Sequence, residues 1–388
     1  MITPICSALS EHSAKNYIKF HTGSRASMNH EELLPSDFNA WDFTELPGLD
    51  DLHSPMGVIL ESQKLAAKAF GASQTFFSVN GSTAAILALI LGSCNAGDVL
   101  VMDRGSHVAA FNACEIAQVQ VVLVEPIFEK GIPMLAPLEC FAEAAAKHSA
   151  AGVFITRPNY FGCAPEIEWL ADALHEVGRF LIVDEAHGTH FGFHYKLPKS
   201  ALKLGADGVA QSAHKTLGAL NQTAFLHVAG GILSAEKIGK ALSKVQTTSP
   251  SYPLLASLDY SRAWLESEGH PRYEALTSAI ELFWSSINAP FSGLEVSRNQ
   301  DPTRVVITTG DLNGNQVSAA LRDDFGIQVE FSNSNYLVCI AVPGDEHGLI
   351  ALAQALNECG GIAKRADSTY MNEFPPGVPR VLNNGIII

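Results

Sequence analysis

The sequence contains no apolar run long enough to cross a lipid bilayer. Its longest uninterrupted apolar stretches, such as Ala84–Leu91, fall far short of the roughly 20 residues that a spanning helix requires. The first residues, Met1-Ile2-Thr3-Pro4, also lack the basic and then apolar order of a signal peptide. We therefore expect neither a membrane span nor secretion.

Basic residues and paired cysteines are also scarce. The 25 lysines and arginines face 40 aspartates and glutamates, and the net charge of −15 repels a phosphate backbone. Nucleic acid is therefore not an expected partner. The 7 cysteines are scattered and never spaced C-x-x-C, which predicts buried reduced thiols in a reducing compartment. We expect a soluble cytoplasmic protein.

Short runs of β-branched and apolar residues alternate with helix-like segments along the middle of the chain. This order is typical of an α/β fold with a mostly parallel sheet, here of seven strands, covered by helices on both faces. The predicted strands are Thr75–Val79, Val99–Met102, Val119–Val124, Val153–Thr156, Phe180–Val183, Gly208–Gln211 and Thr223–Val228. The predicted helices are Glu61–Phe70, Ser82–Leu91, Leu138–Lys147, Ile167–Val177 and Ser234–Gln246.

Three regions are expected along the chain. Residues 1–37 are polar and irregular and predict an N-terminal arm, residues 38–274 a large domain, and residues 275–388 a small C-terminal α+β domain. The prolines of Phe374–Pro379 predict a rigid extended tail. The elements expected in the small domain are strands Thr303–Thr308 and Tyr336–Ala341 and helices Gln316–Asp323 and Glu346–Glu358.

An acidic pair, Asp184-Glu185, directly follows the apolar strand Phe180–Val183. Asp184 is therefore expected at the carboxyl end of a buried strand, the edge of an α/β sheet at which ligands bind. The letters Asp-Glu-Ala-His also spell a helicase nucleotide-binding box. The sequence contains no G-x-x-x-x-G-K-[ST] loop, so we exclude that interpretation.

A metal site is an alternative interpretation of the same segment. His187, His190 and His194 could join Asp184 as ligands, because their spacings of 3 and 4 allow a shared helical face. The glycines between these histidines make a helix there doubtful. We therefore expect no metal, with this alternative left open.

A lysine follows the strand Gly208–Gln211 at what should be the same sheet edge. Alone, Lys215 in Ser212-Ala213-His214-Lys215 could be a surface lysine in a polar loop. Paired with Asp184 it fits pyridoxal phosphate, which needs a lysine for its aldehyde and an acid for its pyridinium nitrogen.

Two further segments could contact such a cofactor. In Asn80-Gly81-Ser82-Thr83 a strand turns into a helix, Ser82 is a plausible N-cap, and the first helical turn could hold a phosphate. His107 follows the strand Val99–Met102, and its neutral ring could lie flat on a cofactor ring. A simple loop histidine is an equally good interpretation of His107.

Together these segments resemble the fold-type-I pyridoxal-phosphate enzymes, and specifically the ornithine/lysine/arginine decarboxylase family. The resemblance covers the chain from about Phe20 to the C-terminus. It implies the aspartate aminotransferase fold, in a short form that lacks the wing domain and most of the C-terminal domain. The matching segments are Asp42–His53, Asn80–Thr83, Asp103–His107, Asp184–Gly188, Gln211–Leu217, Thr247–Tyr252 and Phe374–Gly377.

The resemblance implies a role for each candidate residue. Lys215 would form the Schiff base, Asp184 would pair with the pyridinium nitrogen, His107 would stack on the ring and His187 would lie beside it. A homodimer with shared active sites is implied as well, because Thr248 would reach the phosphate of the neighbouring subunit. The other expected phosphate contacts are Gly81, Ser82, Thr83, Ser212 and His214.

The implied reaction is decarboxylation of an amino acid, with a basic one (arginine, lysine or ornithine) as the leading expectation. Lys215 or His214 would reprotonate Cα. Another reaction on the same cofactor stays open: transamination, elimination, or decarboxylation of a non-basic amino acid. For a basic substrate, Glu330 is the candidate partner of the distal cation, and a solvated glutamate at a strand end is the alternative. His21-Thr22-Gly23-Ser24-Arg25 departs from the Pro-Gly-His-Lys-Gly of the family, which weakens the substrate assignment.

Overall fold

The computed structural model describes residues 4–22, 38–293, 301–359, 375–379 and 386–387. The chain divides into two compact units. The larger comprises Met28–His270, Ser297–Asp301 and Met371–Ile388, and the smaller comprises Met1–Ser27, Pro271–Val296 and Pro302–Tyr370. The boundaries expected after residues 37 and 274 stay predictions.

The described elements follow one another in a regular α/β order. The strands are β1 (Ile18–Phe20), β2 (Gln74–Ser78), β3 (Val99–Asp103), β4 (Gln120–Val124), β5 (Ile127–Glu129), β6 (Ile132–Met134), β7 (Gly152–Thr156), β8 (Phe180–Asp184), β9 (Gly208–Gln211), β10 (Ala224–Val228), β11 (Ser292–Gly293), β12 (Arg304–Thr308), β13 (Ile327–Val329), β14 (Phe331–Ser332), β15 (Tyr336–Ile340) and β16 (Ile386–Ile387). The helices are α1 (Pro4–Ala14), α2 (Val58–Phe70), α3 (Gly81–Ser93), α4 (Val108–Ala117), α5 (Leu138–Lys147), α6 (Glu168–His175), α7 (Ala213–Thr216), α8 (Ala235–Val245), α9 (Tyr252–Ser267), α10 (Gly269–Ser286), α11 (Gly314–Phe325) and α12 (Glu346–Glu358).

The larger unit is built on an 8-stranded sheet in the order β16-β4-β3-β7-β8-β9-β10-β2. Neighbours from β16 to β9 are parallel, whereas β10 is antiparallel to both β9 and β2. The α/β fold and all seven predicted strands are confirmed. The eighth strand, β16, escapes prediction because two residues at a sheet edge show no periodicity.

Alternate residues of the buried strands pack on opposite faces of this sheet. Leu100 and Met102 of β3 join an apolar cluster with residues of α3, α4 and α8. Val101 of the same strand joins a second cluster with residues of α5 and α6. Burial on both faces explains why these strands are apolar throughout instead of alternating with polar residues.

The smaller unit has a 4-stranded antiparallel sheet, β11-β12-β15-β14, and the helices α11 and α12 belong to it. The N-terminal segment was expected to be irregular, but residues 4–14 form α1 and β1 pairs in parallel with β13. No side chain of α1 is buried, so the helix has no side that packs on the core and that a sequence pattern could reveal.

Two further expectations need correction. All seven cysteines are free, but Cys6 and Cys140 are exposed, so only five are buried thiols. Residues 375–379 turn instead of extending, because Gly377 adopts a φ of +87° and the Val378 N–H donates to the Pro375 carbonyl at 3.4 Å. Within the described ranges, no helix combines the length and the apolar character that a membrane span requires.

Asp50 fixes the loop that enters α2. Its carboxylate accepts hydrogen bonds from backbone N–H groups at the start of the helix, including those of Gly57 and Ile59 at 2.8 and 3.0 Å. Burial raises the pKa of Asp50, but the backbone N–H groups outweigh this and lower it to about 2. The Asp50 carboxylate therefore caps several backbone N–H groups at the start of α2.

Asp50→Ala is expected to lower the free energy of unfolding at pH 7 by ~1 kcal/mol, the usual contribution of a lost helix cap. Because the folded-state pKa is depressed, this contribution is present above the ordinary aspartate pKa and is lost as the pH falls toward 2. Urea unfolding from pH 7 downwards measures it, with the exposed Asp42→Ala as control. An equal difference between wild type and Asp50→Ala at every pH would contradict this role.

Candidate active site

A cavity of about 510 Å³ lies where several parallel strands of the larger unit end. Strands β3, β7 and β8 each place their last residue, Asp103, Thr156 and Asp184, in its wall. Residues of α7, directly after β9, complete that side. The predicted candidates that line the cavity are Gly81, Ser82, Thr83, His107, Asp184, His187, His214 and Lys215.

Asp184 is buried at the carboxyl end of β8, with 3% of its surface exposed. The Ala186 N–H donates to Oδ1 at 3.0 Å and holds the carboxylate toward the cavity. Burial raises the pKa of Asp184, and the nearby Lys215 and His107 act to lower it. A cation in the cavity would favour the carboxylate form for the same reason as Lys215 does.

Lys215 enters the cavity from the short helix α7 and meets His187. The Lys215 Nζ and the His187 Nε2 are 3.1 Å apart. An ammonium can only donate, so when Lys215 is protonated the Nε2 of His187 is the acceptor. The ring of Tyr160 packs edge-on against His187 at a centroid distance of 5.6 Å and limits its orientation.

The first turn of α3 forms another wall. The N-cap is Asn80 and not Ser82 as expected, and its side chain makes no capping bond. Gly81 has a φ of +74°, a conformation that glycine adopts at little cost. The position that a Cβ would take at this residue is open space. The Gly81 N–H donates to the Gln222 carbonyl at 2.7 Å, so the N–H groups of the residues that follow are the ones this turn could offer to an anion.

Ser212 lies behind this turn, outside the residues that line the cavity. It is fully buried, and its Oγ donates to the Ser82 Oγ at 2.8 Å. Its carbonyl accepts a hydrogen bond from the Thr189 Oγ1 at 3.0 Å. Ser212 therefore orients Ser82, the hydroxyl that reaches the cavity.

The two remaining histidines of the cavity each have one ring nitrogen engaged. The His107 Nδ1 accepts from the Ala109 N–H at 3.2 Å at the start of α4, so the proton of the neutral ring sits on Nε2. The His214 Nδ1 donates to the Thr223 carbonyl at 2.9 Å, which leaves Nε2 as an acceptor in the neutral ring. Burial lowers the pKa of both rings, so both favour the neutral form.

Two predicted contacts lie elsewhere. Thr248 is exposed, on the loop between α8 and α9, and its neighbour Thr247 donates an N–H to the Asn80 Oδ1 at 3.2 Å. Glu330 belongs to the smaller unit, where its Oε2 accepts from the Thr22 N–H at 2.7 Å. The roles of both stay predictions.

The histidines of the metal alternative do not gather around Asp184. His190 pairs with Asp301 at 3.3 Å, and the ring of His194 packs against those of Tyr195 and His270. Across the described part of the chain, no group of three or more histidine, cysteine, aspartate or glutamate residues could hold a metal ion.

Sequence reasoning missed Thr156. Its Oγ1 is buried without a hydrogen-bond partner, it lines the cavity, and Thr156 pairs with Asp184 across β7 and β8. The signal was available, because Thr156 ends a predicted strand at the edge where Asp184 lies. Asp103 was predicted only as the first residue of the matching segment Asp103–His107, without a role of its own. Burial raises the pKa of Asp103 to about 7.

The chain resembles known proteins over most of its length. Residues 3–286 match the family described as Orn/Lys/Arg decarboxylase, major domain. An arginine decarboxylase of Bacillus anthracis is 34% identical over 382 residues, which are 93% of this chain and 78% of that protein. An arginine decarboxylase of Bacillus subtilis is 32% identical over 388 residues, covering 95% and 79% of the two chains.

The chain belongs to the Orn/Lys/Arg decarboxylase family. It is an amino-acid decarboxylase by that membership. The solved lysine decarboxylase LdcF of Francisella novicida superposes with a TM-score of 0.72 at 21% identity, over 82% of this chain and 53% of that one. Alanine–glyoxylate aminotransferase of Nostoc gives a TM-score of 0.69 at 16% identity, over 88% and 94%. The chain thus spans about half of the lysine decarboxylase, and the two likenesses confirm the aminotransferase-type fold.

The cavity of this family member fits pyridoxal phosphate. The cofactor needs a lysine, an acid for its ring nitrogen, a flat neighbour for its ring and N–H groups for its phosphate. Lys215, Asp184, His107 and the first turn of α3 offer these within one cavity. The Thr156 hydroxyl, which has no hydrogen-bond partner in the protein, adds a polar atom that a bound group could satisfy.

Gly377 approaches the edge of the His107 ring so closely that no side chain fits. A Cβ at Gly377 would lie 2.5 Å from the His107 Cδ2, and its φ of +87° also favours glycine. Gly377→Ala is expected to displace the ring and weaken pyridoxal-phosphate binding roughly tenfold or more, since overpacking costs ~1–3 kcal/mol. Titration of the cofactor absorption band measures the affinity.

Gly231→Ala is the matched control. Gly231 has a φ of +86° but open space around its Cα, so it reproduces the backbone strain without touching a histidine. Equal cofactor affinity in Gly377→Ala and Gly231→Ala would show that the His107 ring does not contact the cofactor.

Proposed function

We propose that the protein is a pyridoxal-phosphate-dependent decarboxylase of a basic amino acid and that Lys215 binds the cofactor covalently. One observation carries the proposal: Asp184 and Lys215 line the same cavity, at the carboxyl ends of β8 and β9. Membership of the Orn/Lys/Arg decarboxylase family supports the reaction, and the relatives named arginine decarboxylase make arginine the first substrate to test.

Bound pyridoxal phosphate would supply an electron sink for the electron pair left when a bond at Cα breaks. The Asp184 carboxylate would keep the ring nitrogen protonated, because an adjacent negative charge favours the cationic form. The phosphate would lie on the first turn of α3, where Ser82 and Thr83 add hydroxyl donors. The neutral His107 ring would cover one face of the cofactor ring without adding a competing charge.

His187 would accept a proton from the Lys215 ammonium and return it. Its Nε2 lies 3.1 Å from Nζ, so it can accept the ammonium proton and leave a nucleophilic amine. Lys215 must lose this proton to form a covalent bond and regain it to act as an acid. A neighbouring imidazole can both accept this proton and return it.

Lys215, and not His214, would deliver the proton to Cα after carbon dioxide leaves. His214 spends its Nδ1 proton on the Thr223 carbonyl, and burial lowers its pKa, so its Nε2 is an acceptor. The ammonium of Lys215 carries three N–H donors and no acceptor. Of the two residues that the sequence left open, Lys215 is therefore the proposed proton donor.

Glu330 would pair with the distal cation of the substrate. The N–H and Oγ1 of Thr22 donate to its Oε2 at 2.7 and 3.4 Å, and its own N–H donates to the Val338 carbonyl at 2.9 Å. These bonds fix both the backbone and one carboxylate oxygen. A fixed carboxylate loses little freedom on binding an ammonium or guanidinium.

Thr248 would complete the phosphate site of a second copy of the chain. Its exposed loop is held at Thr247, the residue before Thr248. The His53 Nε2 bonds the Thr247 carbonyl at 2.7 Å, and the Thr247 Oγ1 accepts from the Ser249 N–H at 3.2 Å. An exposed hydroxyl on a fixed loop suits a contact across a two-fold interface, which joins each site to the other subunit.

The proposed function is tested by measuring carbon dioxide release from each of the twenty amino acids with the cofactor-loaded protein. We expect release from a basic amino acid, without keto-acid formation. Lys215→Ala should abolish it, because the group that binds the cofactor and returns the proton is gone. Keto-acid formation, or release from non-basic amino acids only, would contradict the proposal.

Glu330→Gln is expected to raise the KM for the basic substrate roughly tenfold or more at nearly unchanged kcat, since a charged hydrogen bond is worth ~1.5–3 kcal/mol. Steady-state kinetics measure both constants. Glu358→Gln, an exposed glutamate of the same unit, is the control. An unchanged KM would remove Glu330 from substrate binding.

A further inference from the structure

A chain of buried polar side chains runs beneath the cavity. It crosses five neighbouring strands of the sheet, in the order β7-β8-β9-β10-β2, with every member at most 1% exposed. The members are Arg157, Glu185, Gln211, His227 and Thr75. The successive contacts are Arg157 Nη1 to Glu185 Oε1 at 3.1 Å, Gln211 Nε2 to Glu185 Oε2 at 2.8 Å, His227 Nε2 to Gln211 Oε1 at 3.0 Å and Thr75 Oγ1 to His227 Nδ1 at 2.8 Å.

Glu185 sets the direction of every hydrogen bond in this chain. Its carboxylate only accepts, so Gln211 must present its amide N–H to Glu185 and its carbonyl to His227. His227 must then carry its proton on Nε2, and its Nδ1 accepts from the Thr75 hydroxyl. Burial lowers the pKa of His227 to about 3, so the ring is neutral and has one tautomer.

The surroundings of Glu185 call for a charged carboxylate. The three groups that contact it, Arg157 Nη1, Gln211 Nε2 and the Ala201 N–H, are all donors. A protonated Glu185 would need the Gln211 amide to turn over and present its carbonyl to the new O–H. Burial outweighs the lowering effect of Arg157 and these hydrogen bonds, so the net pKa of Glu185 is raised to about 7.

Arg157 anchors one end of the chain to the backbone. Its Nε donates to the Pro165 carbonyl at 2.6 Å, and Nη1 and Nη2 reach the carbonyls of Lys199 and Ala164 at 3.1 and 3.4 Å. The position of Glu185 is therefore determined by fixed backbone on one side and by β9 on the other.

Each of the first three members adjoins a residue of the site. Arg157 follows Thr156, Glu185 follows Asp184, and Gln211 precedes Ser212, which begins α7 and with it Lys215. This chain of hydrogen-bonded side chains thus connects the strand ends that carry the proposed catalytic groups. A shift of one strand end against the next would move Asp184 relative to Lys215.

We propose that Glu185 is a positioning residue of the decarboxylation site: it orders the buried chain that holds Asp184 and Lys215 in their relative positions. This inference rests on the proposed function of the cavity. Glu185 itself does not line the cavity, so its action passes through the strand ends.

The first test reads the tautomer of His227 by ¹⁵N NMR of histidine-labelled protein without added cofactor, with the signal assigned by its loss in His227→Asn. Wild type should carry the proton on Nε2. In Glu185→Gln the new amide group faces Gln211, which must turn over, so the proton of His227 should move to Nδ1. In the double variant Glu185→Gln/Gln211→Glu the carboxylate stands at position 211, where it can accept from both the amide introduced at position 185 and His227. The proton of His227 should therefore return to Nε2.

The second test compares steady-state kinetics of the cofactor-loaded proteins. Glu185→Gln should lower kcat roughly tenfold to a hundredfold with KM nearly unchanged, because misplaced groups slow chemistry more than binding. The double variant should recover most of kcat. Glu168→Gln, an exposed glutamate at the start of α6, should match wild type.

A kcat within twofold of wild type and an unmoved His227 proton in Glu185→Gln would overturn the proposal. If Glu185→Gln does not fold, Gln211→Met replaces it. This variant removes the hydrogen bonds from Gln211 to Glu185 and His227 and keeps the pair Arg157–Glu185. An unchanged kcat in Gln211→Met would equally overturn the proposal. Failure of the proposed function is a separate result: wild type would release no carbon dioxide from a basic amino acid, whereas the tautomer test stands without any substrate.

Discussion

The parallel alignment of β3, β7, β8 and β9 is the constraint on which the site depends. It brings Asp103, Thr156, Asp184 and the start of α7 to one edge of the sheet, although they are widely separated in sequence. Apolar packing on both faces of the sheet fixes that alignment. The chemistry therefore depends on strand register, and the register depends on a core that carries no chemistry itself.

Burial of acids at this edge has an electrostatic cost. Desolvation raises the pKa of Asp103, Asp184 and Glu185, so each charged form must be stabilised by a nearby donor or cation. Glu185 has Arg157 and two further donors, whereas Asp184 has one backbone N–H and the influence of Lys215 and His107. Asp184, which has fewer such donors than Glu185, faces the cavity, where a cationic ring nitrogen would stabilise it.

Much of this arrangement could be predicted from the sequence, because continuous apolar strands and the residues that follow them are local signals. Asp184 and Lys215 were found in that way. Three kinds of feature were out of reach. Strand β16 is too short to show a period, α1 has no buried face, and the link from Glu185 to His227 joins residues that no local pattern connects.

The central claim is that the strand ends place Lys215 as the residue that binds the cofactor. Borohydride reduction of the cofactor-loaded protein, followed by peptide mapping, tests this most directly. The account predicts a pyridoxyl group on the peptide that contains Lys215 and unmodified lysines elsewhere. A label on any other lysine, with Lys215 unmodified, would contradict it.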